Sequence, residues 1–301
     1  MNWKDHIKLA IRKSDQKTPV FTSTFTDFWG NGTNANRQPI PKIIWIYWHE
    51  VKIESATINK CIEQIKRLNP TWTINVLNKD TILNFLNDFS WFPADLPIAN
   101  LSDYIRLNLL KNFGGVYIDA STLIFKPLEN ILNLIKSSKA ELITYYTEEN
   151  TLDKRFPMIE TWFMAAVPKS KFITDWLKEY KQCILSQNPN TYYSEHPFFN
   201  KKSFKIDKNY HKCYFSAQVV MQKNQSYNLH LIRADDEALL YSLKIKNKWS
   251  DLSIANILLI NKKSGKVPPI IKLINTARKR VDSYILDNYY RKDSIFGSLL
   301  D

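Results

Sequence analysis

The chain has 301 residues, 44% of them hydrophobic, which is enough for one large domain with a substantial core and excludes a chain disordered throughout. Lys and Arg outnumber Asp and Glu by 42 to 29, giving a net charge of +13 that suits an anionic partner: a nucleotide-sugar, a membrane surface or a nucleic acid. The three cysteines, Cys61, Cys183 and Cys213, are odd in number with no pair at metal-ligand spacing, which argues against a disulfide framework and for a reducing compartment.

Residues 1–38 show little periodicity, and the glycine-rich stretch from Gly30 marks a loop, so a short helix and an irregular lead-in are expected there. Met1 to Val20 is charged and lacks the apolar core of a signal peptide, and no run reaches the ~20 apolar residues needed to span a bilayer. A cytoplasmic protein is the expectation.

From Ile43 to Trp48 an unbroken apolar run reads as a buried parallel strand. Ile58, Cys61, Ile62, Ile65 and Leu68 follow at helical spacing up to Asn69-Pro70, then Trp72, Ile74 and Val76 alternate as a strand. A second helix is expected over Thr81 to Phe89. This strand–helix alternation favours a mostly parallel α/β sheet, whose ligands bind beyond the carboxyl ends of the strands. The loops after Trp45 and after Asp119 should therefore border one crevice.

The most informative stretch runs from Leu101 to Ser121. Ser102 is placed to cap a helix, with Asp103 in its first turn and Ile105, Leu109 and Phe113 along one face. Gly114-Gly115 ends it, Val116-Tyr117-Ile118 reads as a short strand, and Asp119 sits at the strand's exit. Asp103 and Arg106, three apart, emerge on one side near the positive end of the helix. A carboxylate at a strand's carboxyl end, facing a helix N-terminus and an arginine, can hold a divalent cation and a diphosphate; a structural Asp–Arg ion pair accounts for the spacing as well.

The string Ser-Asp-x-x-Arg, a leucine-rich helix, then Gly-Gly-x-Tyr-x-Asp resembles the signature of family 32 glycosyltransferases, especially capsular polysaccharide synthesis proteins, and is distantly similar to the clostridial glucosylating toxins. The resemblance covers about Pro39 to Ile184 well and the remainder loosely. It implies a GT-A (Rossmann-like) fold with a mostly parallel central sheet and a helical C-terminal appendage, a UDP-sugar donor, retention of configuration and a Mn2+ or Mg2+ ion. By the same resemblance Asp103 and Asp119 grip ribose and sugar hydroxyls, Arg106 faces sugar and diphosphate, and Tyr117 positions the donor. Trp45 matches a tryptophan that stacks on uracil, with core packing as the alternative and Tyr47 or Trp48 as substitutes. Where the family has Asp-x-Asp, this chain has Asp119-Ala120-Ser121, so the resemblance puts the metal on Asp119 and Ser121, with weaker binding expected from one carboxylate fewer.

Downstream, a helix is expected from Leu128 to Ile135, strands over 142–146 and 159–167, and a helix stripe from Phe172 to Ile184. Glu160 is an acid inside an apolar strand, costly unless paired or functional. By position it resembles the residue facing the transferred sugar, where the toxins carry an amide. Asn188 to Asp207, with His196, reads as an acceptor-binding lid. A short helix over Ser216–Met221 and a strand over Leu229–Arg233 precede an acidic Asp235-Asp236-Glu237 cluster, expected as a solvated turn. Beyond Pro268-Pro269, Ile270 to Ile285 reads as one helical stripe flanked by Lys272, Arg278, Lys279, Arg280, Arg291 and Lys292, a basic amphipathic helix suited to an anionic membrane face.

The expected organisation is a lead-in (1–38), a catalytic domain (39–260, with a nucleotide-sugar half about 39–130 and an acceptor half about 140–260), and a basic C-terminal segment (261–301). The expected function is transfer of a hexose such as glucose or galactose from a UDP-sugar to a lipid-linked bacterial capsular or other surface polysaccharide, by a peripheral protein of the inner membrane face. A silent nucleotide-sugar or carbohydrate binder and a toxin-like transferase acting on protein are the alternatives. The sequence carries no recognised nucleic-acid motif.

Overall fold

A computed structural model describes residues 17–32, 39–87, 89–133, 140–199, 206–207 and 209–300. The short helix expected at the start of the lead-in (1–38) falls outside the described residues. The core is a seven-stranded sheet built from β1 (Thr26–Trp29), β2 (Ile43–Tyr47), β3 (Thr73–Leu77), β4 (Gly115–Ile118), β6 (Leu142–Thr147), β7 (Met158–Ala166) and β8 (Leu229–Arg233). A separate two-stranded ribbon joins β5 (Thr122–Ile124) to β9 (Ile270–Lys272). The order across the large sheet is β1-β8-β6-β7-β4-β2-β3, with β2 parallel to β3 and β4, β6 parallel to β8, and β7 and β1 opposed to their neighbours. Five strands thus share one direction, the mostly parallel α/β sheet that the alternating pattern predicts.

Helices cover both faces: α1 (Ala56–Leu68), α2 (Ile98–Phe113), α3 (Leu128–Asn133), α4 (Lys171–Ile184), α5 (Lys212–Lys223) and α6 (Asn275–Leu286). Strand residues alternate between two cores, as a pleat with period two requires. Trp45, Tyr47 and Tyr117 join a cluster with α2, α4 and α5, whereas Ile44, Ile46, Val116 and Ile118 join one with α1 and α3.

Several local expectations are corrected. The helix expected over Thr81–Phe89 is a single 3-10 turn, Thr81–Asn84. Helix α2 starts at Ile98, a turn before Ser102, so Ser102 does not cap it and Asp103 and Arg106 lie in its second and third turns, away from the dipole's positive end. At its other end the glycines behave as read: Gly114 has φ +64°, Gly115 φ +92°, and a Cβ on Gly115 would meet the Ile43 carbonyl oxygen at 2.5 Å.

The stripe expected to be one helix from Ile270 divides into β9 and α6. Antiparallel pairing sets Lys272 opposite Thr122, and Leu273 N–H donates to the Ser121 carbonyl at 3.1 Å. The apolar side of α6, Ala277, Val281 and Tyr284, is buried against α1 and the short helix Asp251–Ala255, so it is not available to a membrane. Asp282 fastens α6 to the start of α1, accepting from Ser55 Oγ (2.7 and 2.9 Å) and Thr57 N–H (2.8 Å).

The acidic cluster is not a solvated turn. Asp235 accepts from the backbone N–H groups of Glu148 and Glu149 at 2.8 and 2.9 Å, Asp236 pairs with Arg233 and Lys244, and buried Glu237 binds Tyr145 and Thr24. Strand β8 delivers these acids inward, where each finds a donor.

Candidate active site

A crevice of about 880 Å3 opens beyond the carboxyl ends of β2 and β4. Trp48, just past β2, and Asp119, just past β4, both line it, as do Asp103, Arg106, Ser121, Glu160, Lys272 and Arg278.

Arg106 is the organising cation, held in place by protein groups on all sides. Its Nε donates to the Ser102 carbonyl (3.2 Å), Nη1 to the Thr161 carbonyl (2.8 Å) and hydroxyl (2.7 Å), and Nη2 to Ser102 Oγ (2.9 Å). Asp103 and Asp119 each present an oxygen 3.3 Å from the guanidinium. The Tyr117 ring lies beneath, its centroid 4.7 Å from the Arg106 Cζ, with its hydroxyl 3.3 Å from Ser102 Oγ. Tyr117 is wholly buried, so it supports Arg106 from inside the sheet. Ser102 likewise lies behind the crevice, steering the arginine.

Asp119 carries the second cation. Lys272 Nζ lies 2.6 Å from Asp119 Oδ2 and 2.8 Å from Ser121 Oγ, while Ser121 Oγ donates to the Leu273 carbonyl at 3.0 Å. Burial alone would raise the Asp119 carboxyl, but Lys272 and Arg106 outweigh it and hold the group below its ordinary value, so it is an anion near neutrality. Asp103 goes the other way: burial pushes it up to about 6, partly offset by Arg106 and reinforced by Asp119.

Glu160 faces the same space from near the start of β7, accepting from Thr147 Oγ1 and Tyr214 OH, each at 3.1 Å. Burial raises it to about 7, the two hydroxyls partly offsetting this, and no basic group is paired with it among the described residues. A carboxyl that titrates near neutrality inside a crevice is suited to proton exchange or to meeting developing positive charge.

Trp45 is a correction. Its ring is 2% exposed, packed edge-on against Phe85 (5.1 Å) and tilted against Phe113 (5.5 Å), with Nε1 donating to the Gly114 carbonyl at 2.8 Å. The pleat directs it to the α2 side, whereas Trp48, past the strand's end, reaches the crevice with Arg278 5.5 Å from its ring. Tyr47 is also buried, with its hydroxyl on His49.

A metal ion held by Asp119 and Ser121 does not fit the residues present. An ammonium already bridges both side chains at hydrogen-bond distance, and among the described residues no group of three His, Cys, Asp or Glu could hold an ion. His196 packs among Tyr192, Tyr193 and Phe199, away from the crevice. Of the expected lid, Ile206 lines the crevice, with Tyr210, His211 and Tyr214 beside it.

Sequence reasoning missed Lys272 and Arg278 as site residues because it assigned both to a surface helix. The available signal was Pro268-Pro269 followed by Ile270-Ile271, a β-branched pair that starts a strand more readily than a helix.

Fold and site together define an α/β protein with a charged ligand crevice at the carboxyl ends of its parallel strands. The family described as "Capsular polysaccharide synthesis protein" matches over residues 14–257, and the chain belongs to it. Similar curated proteins include O-glycosyltransferase braB of Annulohypoxylon truncatum, 28% identical over 48% of this chain and 39% of the relative. Inositol phosphoceramide mannosyltransferase 1 of Schizosaccharomyces pombe is 27% identical over 62% of this chain and 58% of the relative. The chain therefore spans less than two thirds of either. Among solved structures, PaToxG glycosyltransferase overlays with a TM-score of 0.36 and 14% identity, covering 62% of this chain and 74% of its own. A glycosyltransferase involved in glycosylation of the PBCV-1 major capsid gives 0.32 and 12%, covering 63% and 93%.

Proposed function

We propose that this chain is a retaining glycosyltransferase that moves a sugar from a nucleotide-sugar, a UDP-hexose first among candidates, onto a growing surface polysaccharide carried on a lipid-linked acceptor. The observation that carries the reading is the Arg106–Asp119–Lys272 cluster in the crevice of a chain belonging to a polysaccharide-synthesis family. In this reading residues 39–130 hold the donor, residues 140–260 form the acceptor side, and the C-terminal segment adds Lys272 and Arg278 to the donor wall.

Transfer breaks the bond between the anomeric carbon and the terminal phosphate oxygen, with the electron pair going to that oxygen. The acceptor hydroxyl oxygen bonds the anomeric carbon, and its proton passes to the departing diphosphate. Asp119 and Asp103, oriented by Arg106, would accept hydrogen bonds from donor hydroxyls; Glu160, when ionised, would face the positive charge developing on the sugar. Trp48 offers a ring for the base. No step is assigned to Mn2+ or Mg2+.

The net charge of +13 supports work beside an anionic membrane, through electrostatics rather than an inserted helix face. Among the described residues no helix is long and apolar enough to cross a bilayer. A second reading, transfer of mannose to a phosphate-bearing lipid, is favoured by the relative named a mannosyltransferase of inositol phosphoceramide.

The test is nucleoside diphosphate release from a panel including UDP-glucose, UDP-galactose and GDP-mannose, with lipid-phosphate acceptors present or absent. Turnover of one donor that an acceptor stimulates is expected. Binding of donors without any turnover would leave a nucleotide-sugar binding protein instead.

A further inference from the structure

We propose that Lys272 occupies the place of a divalent cation in this crevice and stabilises the departing diphosphate itself, so that the transfer needs no metal. The inference rests on the glycosyltransferase reading above and names the group that meets its leaving group.

The lysine's position is built into the backbone. Its N–H donates to the Ala238 carbonyl at 2.9 Å, its strand pairs residue for residue with β5, and the neighbouring Leu273 exchanges two hydrogen bonds with Ser121. These bonds hold Lys272 against the turn that follows β4, where its side chain is only 11% exposed.

A cation bridging Asp119 and Ser121 would have to expel that ammonium. It would gain one carboxylate and one neutral hydroxyl, since the nearby Asp103 is engaged by Arg106. Hard divalent ions need several anionic oxygens to offset dehydration, and one carboxylate with one neutral hydroxyl falls short of that. The second acid missing at Ser121 and the lysine present at 272 are thus two halves of one arrangement.

Arg106 is poorly placed for the same task, because Ser102, Thr161, Asp103 and Asp119 take up its donors. Lys272 uses two of its three N–H bonds on Asp119 and Ser121 among the described residues, which leaves one for a phosphate oxygen. As the anomeric carbon–oxygen bond breaks and its electron pair moves to the terminal phosphate, Lys272 donates a hydrogen bond to that oxygen and keeps its proton. Arg278, over Trp48 and paired with Asp282, adds a second guanidinium to the lining of the same crevice.

The experiment uses the full chain dialysed against EDTA, with the same donor panel, and compares wild type with Lys272→Met and Lys272→Arg. Turnover of the wild type in EDTA should match that with added Mn2+ within twofold, Lys272→Met should fall by about a hundredfold or more, and Lys272→Arg should retain a larger share. Turnover abolished by EDTA and restored by Mn2+ overturns the proposal and leaves the transferase reading intact. If no donor turns over under any condition, the transferase reading fails and calorimetry in EDTA decides about Lys272. Weakening of UDP or GDP binding by tenfold or more in Lys272→Met, with uridine and guanosine unaffected, upholds the diphosphate contact. Equal losses for nucleoside and diphosphate, or no diphosphate binding at all, overturn it. Should Lys272→Met not fold by circular dichroism, the EDTA response and Lys272→Arg make the decision.

Discussion

Replacing Glu160 by Gln tests the central electrostatic feature of the site. The carboxyl is 6% exposed, accepts from two hydroxyls, and has its titration raised from the usual 4.5 to about 7 chiefly by burial. Between pH 4.5 and 7 the unfolded chain sheds this proton while the folded chain keeps it, so the contribution of the protonated group to stability is complete below 4.5 and is lost as pH rises through 7. At 1.36 kcal/mol per pH unit the full difference is about 3 kcal/mol, most of which falls between pH 5 and pH 8. Gln has the shape of the protonated acid and does not titrate. Glu160→Gln should therefore differ little from wild type at pH 5 and be more stable at pH 8 by about 2 to 3 kcal/mol. Urea unfolding at both values, with the slope checked for constancy, measures this directly. A variant that tracks the wild type in parallel across that range would refute a buried carboxyl with a raised pKa.

Asp119→Asn removes the anion that holds both Lys272 and Arg106, and turnover in the donor panel should drop by roughly two to three orders of magnitude; near-native activity would take Asp119 out of the chemistry. Trp48→Ala should weaken nucleotide binding by about 1 to 3 kcal/mol in calorimetry. Trp45→Phe should leave binding unchanged while lowering stability by about 1 kcal/mol through the lost bond to the Gly114 carbonyl. Gly115→Ala, at φ +92° with the Ile43 carbonyl in the way, should destabilise by at least about 1 to 3 kcal/mol in urea unfolding, and a loss under 0.5 kcal/mol would contradict that backbone conformation.

What could be read directly from the residues was local. Ile43–Tyr47 is a strand because an unbroken apolar run that short suits a sheet covered on both faces. Gly114 and Gly115 end their helix by the chemistry of left-handed backbone, whereas the cap expected at Ser102 falls a turn inside that helix. Glu160 stood out as an acid in an apolar strand, and Asp103, Arg106 and Asp119 by their spacing on a helix and at a strand's exit; the structure brings all four to one crevice. Which partners they have was not local. The spacing of Asp103 and Arg106 says nothing of Thr161, and Asp119 does not reveal Lys272, 153 residues further along the chain. Whether Trp45 or Trp48 meets a ligand turns on which side of the pleat each occupies and where β2 stops, and that is decided by pairing with β3 and β4. The basic C-terminal stretch has helical apolar spacing and lysines on its flank, so in isolation it reads as a surface helix. Pairing with β5 turns its first residues into a strand, and the bond from Ser55 to Asp282 turns its apolar side inward, so that tertiary contacts place a lysine where sequence alone anticipated a metal.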